Sequence, residues 1–408
     1  MNSSTSSSKK VALYTILLAT VILGSATWLV NAFTDSTEKN AGDVFGIQRI
    51  RSVVDSLDYI ANTKEPSVIV FGSSLIKDGF SPRYYDKALK NQHDIDITSF
   101  NLGLGNMKPS YQLLLAKRMK EAYQRSGKKV DLAIIEFNPF LTTKKRENFR
   151  PFMTEQVSAV LMSPEEIHNL AFEDTERYAR MLSIRYIRNG VSAEAITGGI
   201  RFLVGAAQDQ APSIGKFTED HLQNLSDRRS IQKQLRDFIT QEHPKTKKSH
   251  VWNPVTQGGL IDMMDLSSKA KSAAIALSNN MRYPKTLALD AQGRIDCCDI
   301  IDLEFSEPLF EDFQNIVKEF KSFSNHVEVI LMPSNRTIIP TNKEALDRQE
   351  ILLKQLEKDE QITVRNYQDH PAFAPSMFYD ATHLAMDTGR ITFSRLLAQN
   401  TVETLKEE

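Results

Sequence analysis

The feature that most constrains the fold is an alternation, beginning at Ser67, of short apolar runs and longer segments with helical periodicity. Apolar runs of about four to eight residues are typical of strands buried on both faces of a parallel sheet, and the helical segments supply the crossovers. Five strands are predicted: Ser67–Phe71, Ile95–Phe100, Val130–Phe137, His326–Met332 and Gln361–Val364. Helices are predicted between and after them, at Ser110–Gln124, with Ser110 as the cap, and at Pro308–Phe323, Asn342–Lys358 and Met386–Asn400.

The N-terminus carries a run without charged side chains, from Val11 to Phe33, preceded by Lys9 and Lys10. A run of about 20 apolar residues is long enough to cross a bilayer, and basic residues favour the cytosolic side. We therefore expect a cytosolic tail at 1–10, a transmembrane anchor at 11–33 and an exported remainder. The run exceeds the roughly 7–15 apolar residues of a signal peptide, although Val30-Asn31-Ala32 could be a cleavage site and a cleaved signal remains the alternative.

The exported part is expected to have several segments. Residues 34–62 carry a helical apolar stripe and are predicted to form a juxtamembrane stalk or a first packing helix. Residues 63–140 and 306–408 hold the predicted strands, and residues 141–305 break the alternation with helical fragments and loops. A chain of 408 residues suits two folded units or one domain with a large insertion. We therefore predict a mainly helical insertion at 141–305.

Several partner classes are excluded by charge and by cysteine and histidine spacing. Fifty basic and 51 acidic side chains give a net charge of −1, without a basic cluster suited to nucleic acid. The two cysteines, Cys297 and Cys298, are adjacent, which excludes a disulfide framework and zinc spacing. No histidine pair has metal-ligand spacing in the sequence. We expect no nucleic acid partner, metal or cofactor.

Two segments far apart in the chain carry residues suited to nucleophilic catalysis. Ser73 and Ser74 follow the first strand directly, where a turn can expose a hydroxyl; the alternative is an ordinary turn. Asp380 and His383 are three residues apart before the last helix, close enough for the carboxylate to orient the imidazole. A histidine at a helix start is the alternative there, and His370 is a reserve candidate for the base.

The ends of the second and third strands offer candidate donors for an oxyanion. Asn101-Leu102-Gly103 follows the second strand and Asn138 follows the third. Glycine lets a backbone N–H point into a cleft, and an asparagine amide is a neutral donor. Ordinary turns are the alternative at both places.

Taken together, these segments resemble the sequence blocks of the SGNH, or GDSL-type, hydrolase superfamily. The resemblance covers residues 66–140 and 325–400. It implies a three-layer α/β/α sandwich resembling flavodoxin, with a five-stranded, mainly parallel sheet. It also implies Ser74 as nucleophile, Asp380 and His383 as the rest of a triad, and an oxyanion hole made by the Ser74 N–H, the Gly103 N–H and the Asn138 side chain.

The chain departs from that family's pattern at two positions. Ser73 stands where an aspartate is usual, and Glu136 stands where a glycine is usual. The sequence Gly72-Ser73-Ser74 also looks like the membrane-anchored D-alanyl transfer proteins of lipoteichoic acid synthesis. The second departure bears on where the Asn138 amide points.

The resemblance and the predicted anchor together suggest acyl-ester chemistry outside a bacterial cytoplasmic membrane. We expect O-acyl transfer to, or removal from, an envelope or exported polysaccharide, with acetyl as the expected group and an acylated carrier as a further substrate class. The resemblance implies a membrane-bound O-acyltransferase as a partner. Two alternatives remain open: a catalytically inactive glycan-binding scaffold, and a lipase or thioesterase acting on lipid-linked acyl chains.

Overall fold

The computed structural model describes residues 11, 13–22, 24–29, 32, 47–64, 66–105, 107–148, 154–187, 219–242 and 252–406. They form an α/β fold with a five-stranded parallel sheet, which confirms the predicted fold class at that level. The strands are β1 (Ser67–Gly72), β2 (Thr98–Gly103), β3 (Val130–Glu136), β4 (Ser324–Leu331) and β5 (Thr363–Asn366).

The helices before β4 alternate with the first three strands and then run consecutively through the predicted insertion. They are α1 (Ile47–Ala61), α2 (Ser74–Gly79), α3 (Pro82–His93), α4 (Pro109–Ser126), α5 (Lys144–Asn148), α6 (Thr154–Leu161), α7 (Pro164–Glu173), α8 (Thr175–Leu182), α9 (Glu219–Glu242), α10 (Ser268–Met281), α11 (Pro284–Cys298) and α12 (Glu307–Lys321). After β4 come α13 (Lys343–Glu360), α14 (Gly389–Asn400) and α15 (Val402–Lys406).

The strand order across the sheet is β2-β1-β3-β4-β5. This is the order of flavodoxin-like doubly wound sheets, in which ligands bind beyond the carboxyl ends of the strands where the winding reverses. The reversal here lies between β1 and β3, which are adjacent and in register from Val68 opposite Leu132 to Phe71 opposite Ile135. Residues that follow β1 and β3 therefore meet at the expected ligand crevice.

Helices cover both faces of the sheet. On one face, alternate strand residues such as Val70 and Ile134 share an apolar cluster with Leu89 of α3 and Leu397 of α14. On the other face, the Phe71 ring lies 5.0 Å, centroid to centroid, from Phe320 of α12. Both faces of β1 and β3 are thus buried, as their continuous apolar sequences require. The edge strand β5, predicted to be covered on both faces, is not: its residues are exposed or half-buried.

Helix α1 packs against the sheet domain and does not stand off as a stalk. Val53 and Ile60 are fully buried on it, and so is the side chain of Arg49. The Arg49 guanidinium donates to the carbonyl oxygens of Gly103 at 2.8 Å and Asn101 at 3.1 Å. A buried arginine that satisfies the end of β2 fixes the helix to the core.

Contacts along the chain divide it into two compact units, residues 1–47 with 152–209 and residues 48–151 with 210–408. The second unit contains the whole sheet. In the first, helices α6 to α8 bury a shared apolar cluster: Ala159, Ile167, Leu170, Met181 and Ile184. The boundary between the units runs through the predicted insertion at 141–305, whose described residues are largely helical.

Several predicted element bounds were wrong by a few residues. β2 begins at Thr98 and not at Ile95, because α3 ends in the left-handed residue Asp94 and the Ile95 N–H still bonds to the Leu89 carbonyl. Helix α4 is capped by Lys108, with Pro109 as its first residue, and not by Ser110. The last predicted helix begins at Gly389 and not at Met386.

Within the described residues, no helix has both the length and the apolar content needed to cross a membrane. The anchor predicted at 11–33 includes residues 12, 23, 30, 31 and 33, which lie outside the described part, as does the tail at 1–10. The anchor stays a prediction.

Candidate active site

The turn after β1 places Ser74 at the crevice where the sheet reverses. Ser73 caps helix α2, because its side-chain oxygen accepts the Leu75 N–H at 3.1 Å. Ser74 is the first residue of that helix. The first N–H groups of a helix have no intrahelical acceptor, and they favour nearby negative charge. The Ser74 hydroxyl and its own N–H therefore lie at a helix start suited to a developing oxyanion.

The structure brings Ser74, His383 and Asp380 together, although Ser74 is more than 300 positions from the other two. The Ser74 Oγ lies 2.9 Å from His383 Nε2, and His383 Nδ1 lies 2.8 Å from Asp380 Oδ2. The other carboxylate oxygen of Asp380 accepts the backbone N–H groups of Thr382 at 2.8 Å and His383 at 2.7 Å. These distances match the hydrogen-bonded chain of a serine nucleophile, a histidine base and an orienting carboxylate.

The charges of the aspartate and histidine stabilise each other in a buried setting. Burial alone would raise the pKa of the Asp380 carboxyl, but the facing His383 ring and the Arg294 guanidinium hold it well below its usual range. Burial alone would lower the pKa of the His383 imidazole, but Asp380 and then Asp78 raise it. By stabilising the imidazolium, the carboxylate makes the neutral imidazole a stronger base toward a nearby hydroxyl.

Three residues that the sequence did not single out surround His383. The Asp78 Oδ2 lies 3.9 Å from His383 Nε2, and the Tyr379 ring stacks on the imidazole with centroids 5.6 Å apart. Arg294 of α11 donates to Asp380 Oδ2 at 3.3 Å. Asp78 was detectable in principle, since it follows Ser74 by one helical turn. Arg294 gave no sequence signal, because it comes from the predicted insertion.

The two departures from the family pattern contact each other. Glu136, at the end of β3, accepts the Ser73 N–H at 2.6 Å through one carboxylate oxygen and the Ser73 hydroxyl at 2.8 Å through the other. Both side chains are 2% exposed. A carboxylate from the neighbouring strand therefore lies against position 73, where the SGNH pattern has an aspartate.

This contact also explains the glycine before the serines. A Cβ at Gly72 would lie 2.4 Å from Glu136 Oε2, so the glutamate needs a residue without a side chain there. Burial raises the pKa of the Glu136 carboxyl to about 7, against the lowering effect of its hydrogen bonds from Ser73. Glu136 therefore changes charge near neutral pH, and it contacts Ser73, the residue directly before the candidate nucleophile.

The structure places two of the three predicted oxyanion donors in other hydrogen bonds. The Gly103 N–H donates to Asn101 Oδ1 at 3.0 Å, and a Cβ on Gly103 would lie 2.2 Å from the Lys77 nitrogen, so this glycine serves close packing under α2. Gly105 lies close to Ser74, since a Cβ added at Gly105 would be 4.0 Å from Ser74 Cβ.

The third predicted donor, Asn138, begins the 3₁₀ turn after β3. Its Nδ2 donates to Ser73 Oγ at 3.1 Å, and its Oδ1 accepts the Phe140 N–H at 3.0 Å. The Asn138 amide therefore stays at the serine pair, although a glutamate and not a glycine stands two residues before it. Its role as an oxyanion donor stays a prediction.

Two cavities adjoin these residues. One, of about 230 Å³, is lined by Ser74, Asn138 and Thr382 together with Arg146 and Arg294. The other, of about 370 Å³, has Asp78 and Tyr379 at its wall and is otherwise lined largely by apolar side chains from α9, α10 and the segments around them, among them Ile239, Ile261, Leu266, Leu277 and Met281. The reserve base, His370, accepts the Ala372 N–H at Nδ1 and packs beside Tyr367 and Phe373.

No family model matches this chain, and no curated protein matches it.

Proposed function

We propose that this chain is a serine-dependent acyl-ester enzyme with an SGNH-like fold that transfers or removes acyl groups on an envelope or exported glycan. The single observation that carries the proposal is the chain of hydrogen bonds from Ser74 Oγ through His383 to Asp380. Side chains from opposite ends of the sequence lie within hydrogen-bonding distance at the crevice of the sheet. An inactive scaffold would not need this arrangement.

The proposed reaction proceeds through an acyl-serine. His383 Nε2 takes the Ser74 proton as Oγ bonds to the ester carbonyl carbon, and the resulting oxyanion is stabilised by N–H donors at the start of α2. The tetrahedral species collapses, the C–O bond to the alcohol breaks, and the imidazolium gives its proton to the departing oxygen. Water or a sugar hydroxyl then attacks the acyl-serine with His383 again as base, which gives hydrolysis or transfer, respectively.

The setting of this chemistry is part of the proposal. With the predicted anchor at 11–33, the catalytic domain would lie outside the cytoplasmic membrane, beside a membrane-bound O-acyltransferase that supplies acyl groups. The small cavity at Ser74 supports a short acyl group such as acetyl, because it lies below the roughly 300–1,000 Å³ typical of drug-sized ligand sites.

A second candidate, a lipase or thioesterase on lipid-linked acyl chains, is favoured by one observation. The larger cavity beside Asp78 and Tyr379 is mostly apolar and, at about 370 Å³, has room for a longer chain. The two candidates differ in chain-length preference. An acetyl-directed enzyme is less active on octanoyl esters than on acetyl esters, and a lipid-directed enzyme is more active on octanoyl esters.

The deciding experiment uses the purified full chain with 4-nitrophenyl acetate and 4-nitrophenyl octanoate. We expect nitrophenol release and an acyl adduct in the intact mass. Ser74→Ala should lower turnover by at least about 10⁴-fold and abolish the adduct. Ser272→Ala, on the exposed side of α10, is the matched serine control and should leave both unchanged. Equal inertness of wild type and Ser74→Ala toward both esters would favour the scaffold alternative.

A further inference from the structure

The smaller cavity at Ser74 has a positive wall. Among the described residues that line it, the charged ones are Arg146 and Arg294, and none is acidic. The remaining polar groups, from Ser73, Ser74, Asn138 and Thr382, are neutral. The cavity therefore offers hydrogen-bond donors and positive charge within the same small volume as the candidate nucleophile.

The two arginines come from separate helices, Arg146 from α5 and Arg294 from α11. Arg294 also pairs with two carboxylates, Asp290 at 2.9 Å and Asp380 at 3.3 Å. Burial and then the nearby Arg294 charge lower the pKa of the Arg146 guanidinium. An anionic group in the cavity would stabilise the charges of both guanidinium groups that line it.

We propose that this cavity binds an anionic group of the substrate, a carboxylate or a phosphate, through Arg146 and Arg294 while Ser74 attacks an acyl ester on the same molecule. The binding of an anionic group is inferred from the cavity, and the attack of Ser74 on an acyl ester rests on the proposed function. It narrows the substrate class from glycans in general to acidic glycans, carrying either uronic acid or phosphate groups.

The chemistry of the two side chains supports an oxyanion ligand. A guanidinium presents N–H donors in a planar fork that matches two oxygens of a carboxylate or phosphate, and such charge-assisted pairs are about twice as strong as neutral hydrogen bonds. Arg146 and Arg294 approach from different helices, which allows both to contact one anionic group. At about 230 Å³ the cavity has room for a small charged group beside a short acyl group, and not for a long apolar chain.

The direct test is calorimetric titration of the full chain with sodium glucuronate, inorganic phosphate and, as the neutral match of glucuronate, glucose. We expect at least one anion to bind more tightly than glucose, and the stronger of the two identifies the carboxylate or the phosphate as the ligand. Arg146→Gln should weaken that anion at least tenfold, and Arg146→Lys, which keeps the charge but loses the fork, should fall between.

Lys144→Gln is the matched control. Lys144 lies on the same helix as Arg146, is exposed, and pairs with Glu304 at 2.6 Å. Its substitution by glutamine removes the same unit of positive charge as Arg146→Gln. It should leave anion affinity within twofold of wild type. Unfolding midpoints of all three variants show whether each is folded under the titration conditions. Absence of anion binding by wild type, or equal affinity in folded Arg146→Gln and Lys144→Gln, would overturn the inference.

A kinetic experiment separates this inference from the proposed function. The ratio of kcat/KM for acetylated glucuronate to that for acetylated glucose should fall at least tenfold in Arg146→Gln and stay constant in Lys144→Gln. If both esters are cleaved and the ratio does not respond, the anion site is refuted and the esterase stands. If glucuronate or phosphate binding depends on Arg146 but no ester is cleaved, the proposed function is refuted and the anion site stands.

Discussion

Exchanging the two residues that depart from the family pattern tests whether Ser73 and Glu136 act as one unit. The variant Ser73→Asp with Glu136→Gly moves the carboxylate from the end of β3 to the end of β1. In the structure Glu136 accepts both the N–H and the hydroxyl of Ser73, at 2.6 and 2.8 Å. The two positions are therefore in direct contact, and their substitutions should not be additive.

The magnitudes follow from these contacts. Glu136→Gly alone leaves the buried Ser73 N–H without its acceptor and opens a cavity, which together cost about 3–5 kcal/mol of unfolding free energy. Ser73→Asp alone sets two carboxylates about 3 Å apart in a buried site, where both cannot ionise, and costs about 2 kcal/mol. In the double variant the like-charge repulsion is absent, so it should be about 2 kcal/mol more stable than the sum of the single effects.

The assay is urea unfolding of the full chain, followed by tryptophan fluorescence, for wild type, both single variants and the double variant. At pH 8 Glu136 is ionised, since its pKa is about 7, and at pH 5 it is protonated. The coupling should therefore be larger at pH 8 than at pH 5. Glu328→Gly combined with Ser73→Asp is the matched control, because Glu328 is a buried strand glutamate paired with Arg365. Additivity within about 0.5 kcal/mol for Ser73 with Glu136 would refute the reasoning.

Four further predictions concern the triad, the pH dependence of activity, the pH dependence of unfolding and the glycines. Asp380→Asn should lower kcat on 4-nitrophenyl acetate by about 10⁴-fold, because the amide no longer fixes the imidazole tautomer; a change under tenfold would exclude the orienting role. Because the base must be neutral and the pKa of His383 is raised, kcat/KM should increase as pH rises through that raised pKa. The pKa of Glu136 is raised from 4.5 to about 7, so its contribution to folding is complete below about pH 4.5 and is lost as pH rises through 7; Glu136→Gln should remove this part of the pH dependence of unfolding. Gly103→Ala should prevent stable folding, because its Cβ would overlap backbone, whereas Gly105→Ala should fold normally; equal thermal midpoints for the two would contradict the packing argument.

Elements with uninterrupted apolar sequence could be predicted from the sequence. β1 and β3 were placed within one residue of their observed ends, because a strand buried on both faces has no polar alternation. β2 was placed three residues too early, because Ile95 and Ile97 mimic a strand while the chain is still leaving α3. Local periodicity does not reveal a helix exit that is completed by hydrogen bonds back into the helix.

The residues of the candidate site likewise fall into those that could be predicted from the sequence and those that could not. Ser74, Asp380 and His383 could be recognised because each lies next to a predicted strand or helix end and has a side chain suited to one chemical role. The surroundings of these residues could not be recognised. Arg294 reaches Asp380 from a helix of the predicted insertion, and the ring stacking of Tyr379 on His383 depends on the loop geometry before α14. Contacts between segments without periodic patterns are set by tertiary packing alone.

The Ser73 and Glu136 pair bears on how a sequence pattern should be compared with a structure. Compared position by position with the SGNH pattern that it resembles, the chain has a serine in place of an aspartate at the end of β1 and a glutamate in place of a glycine at the end of β3. Each difference taken alone would count against a working site. In space, β1 and β3 are neighbours, and the Glu136 carboxylate on β3 accepts both the N–H and the hydroxyl of Ser73 at the start of α2. The physical requirement at this turn is one buried acceptor and room for its side chain, which Gly72 provides. Ser73 and Glu136 therefore form one hydrogen-bonded pair, and the two differences from the pattern are matched to each other and not independent.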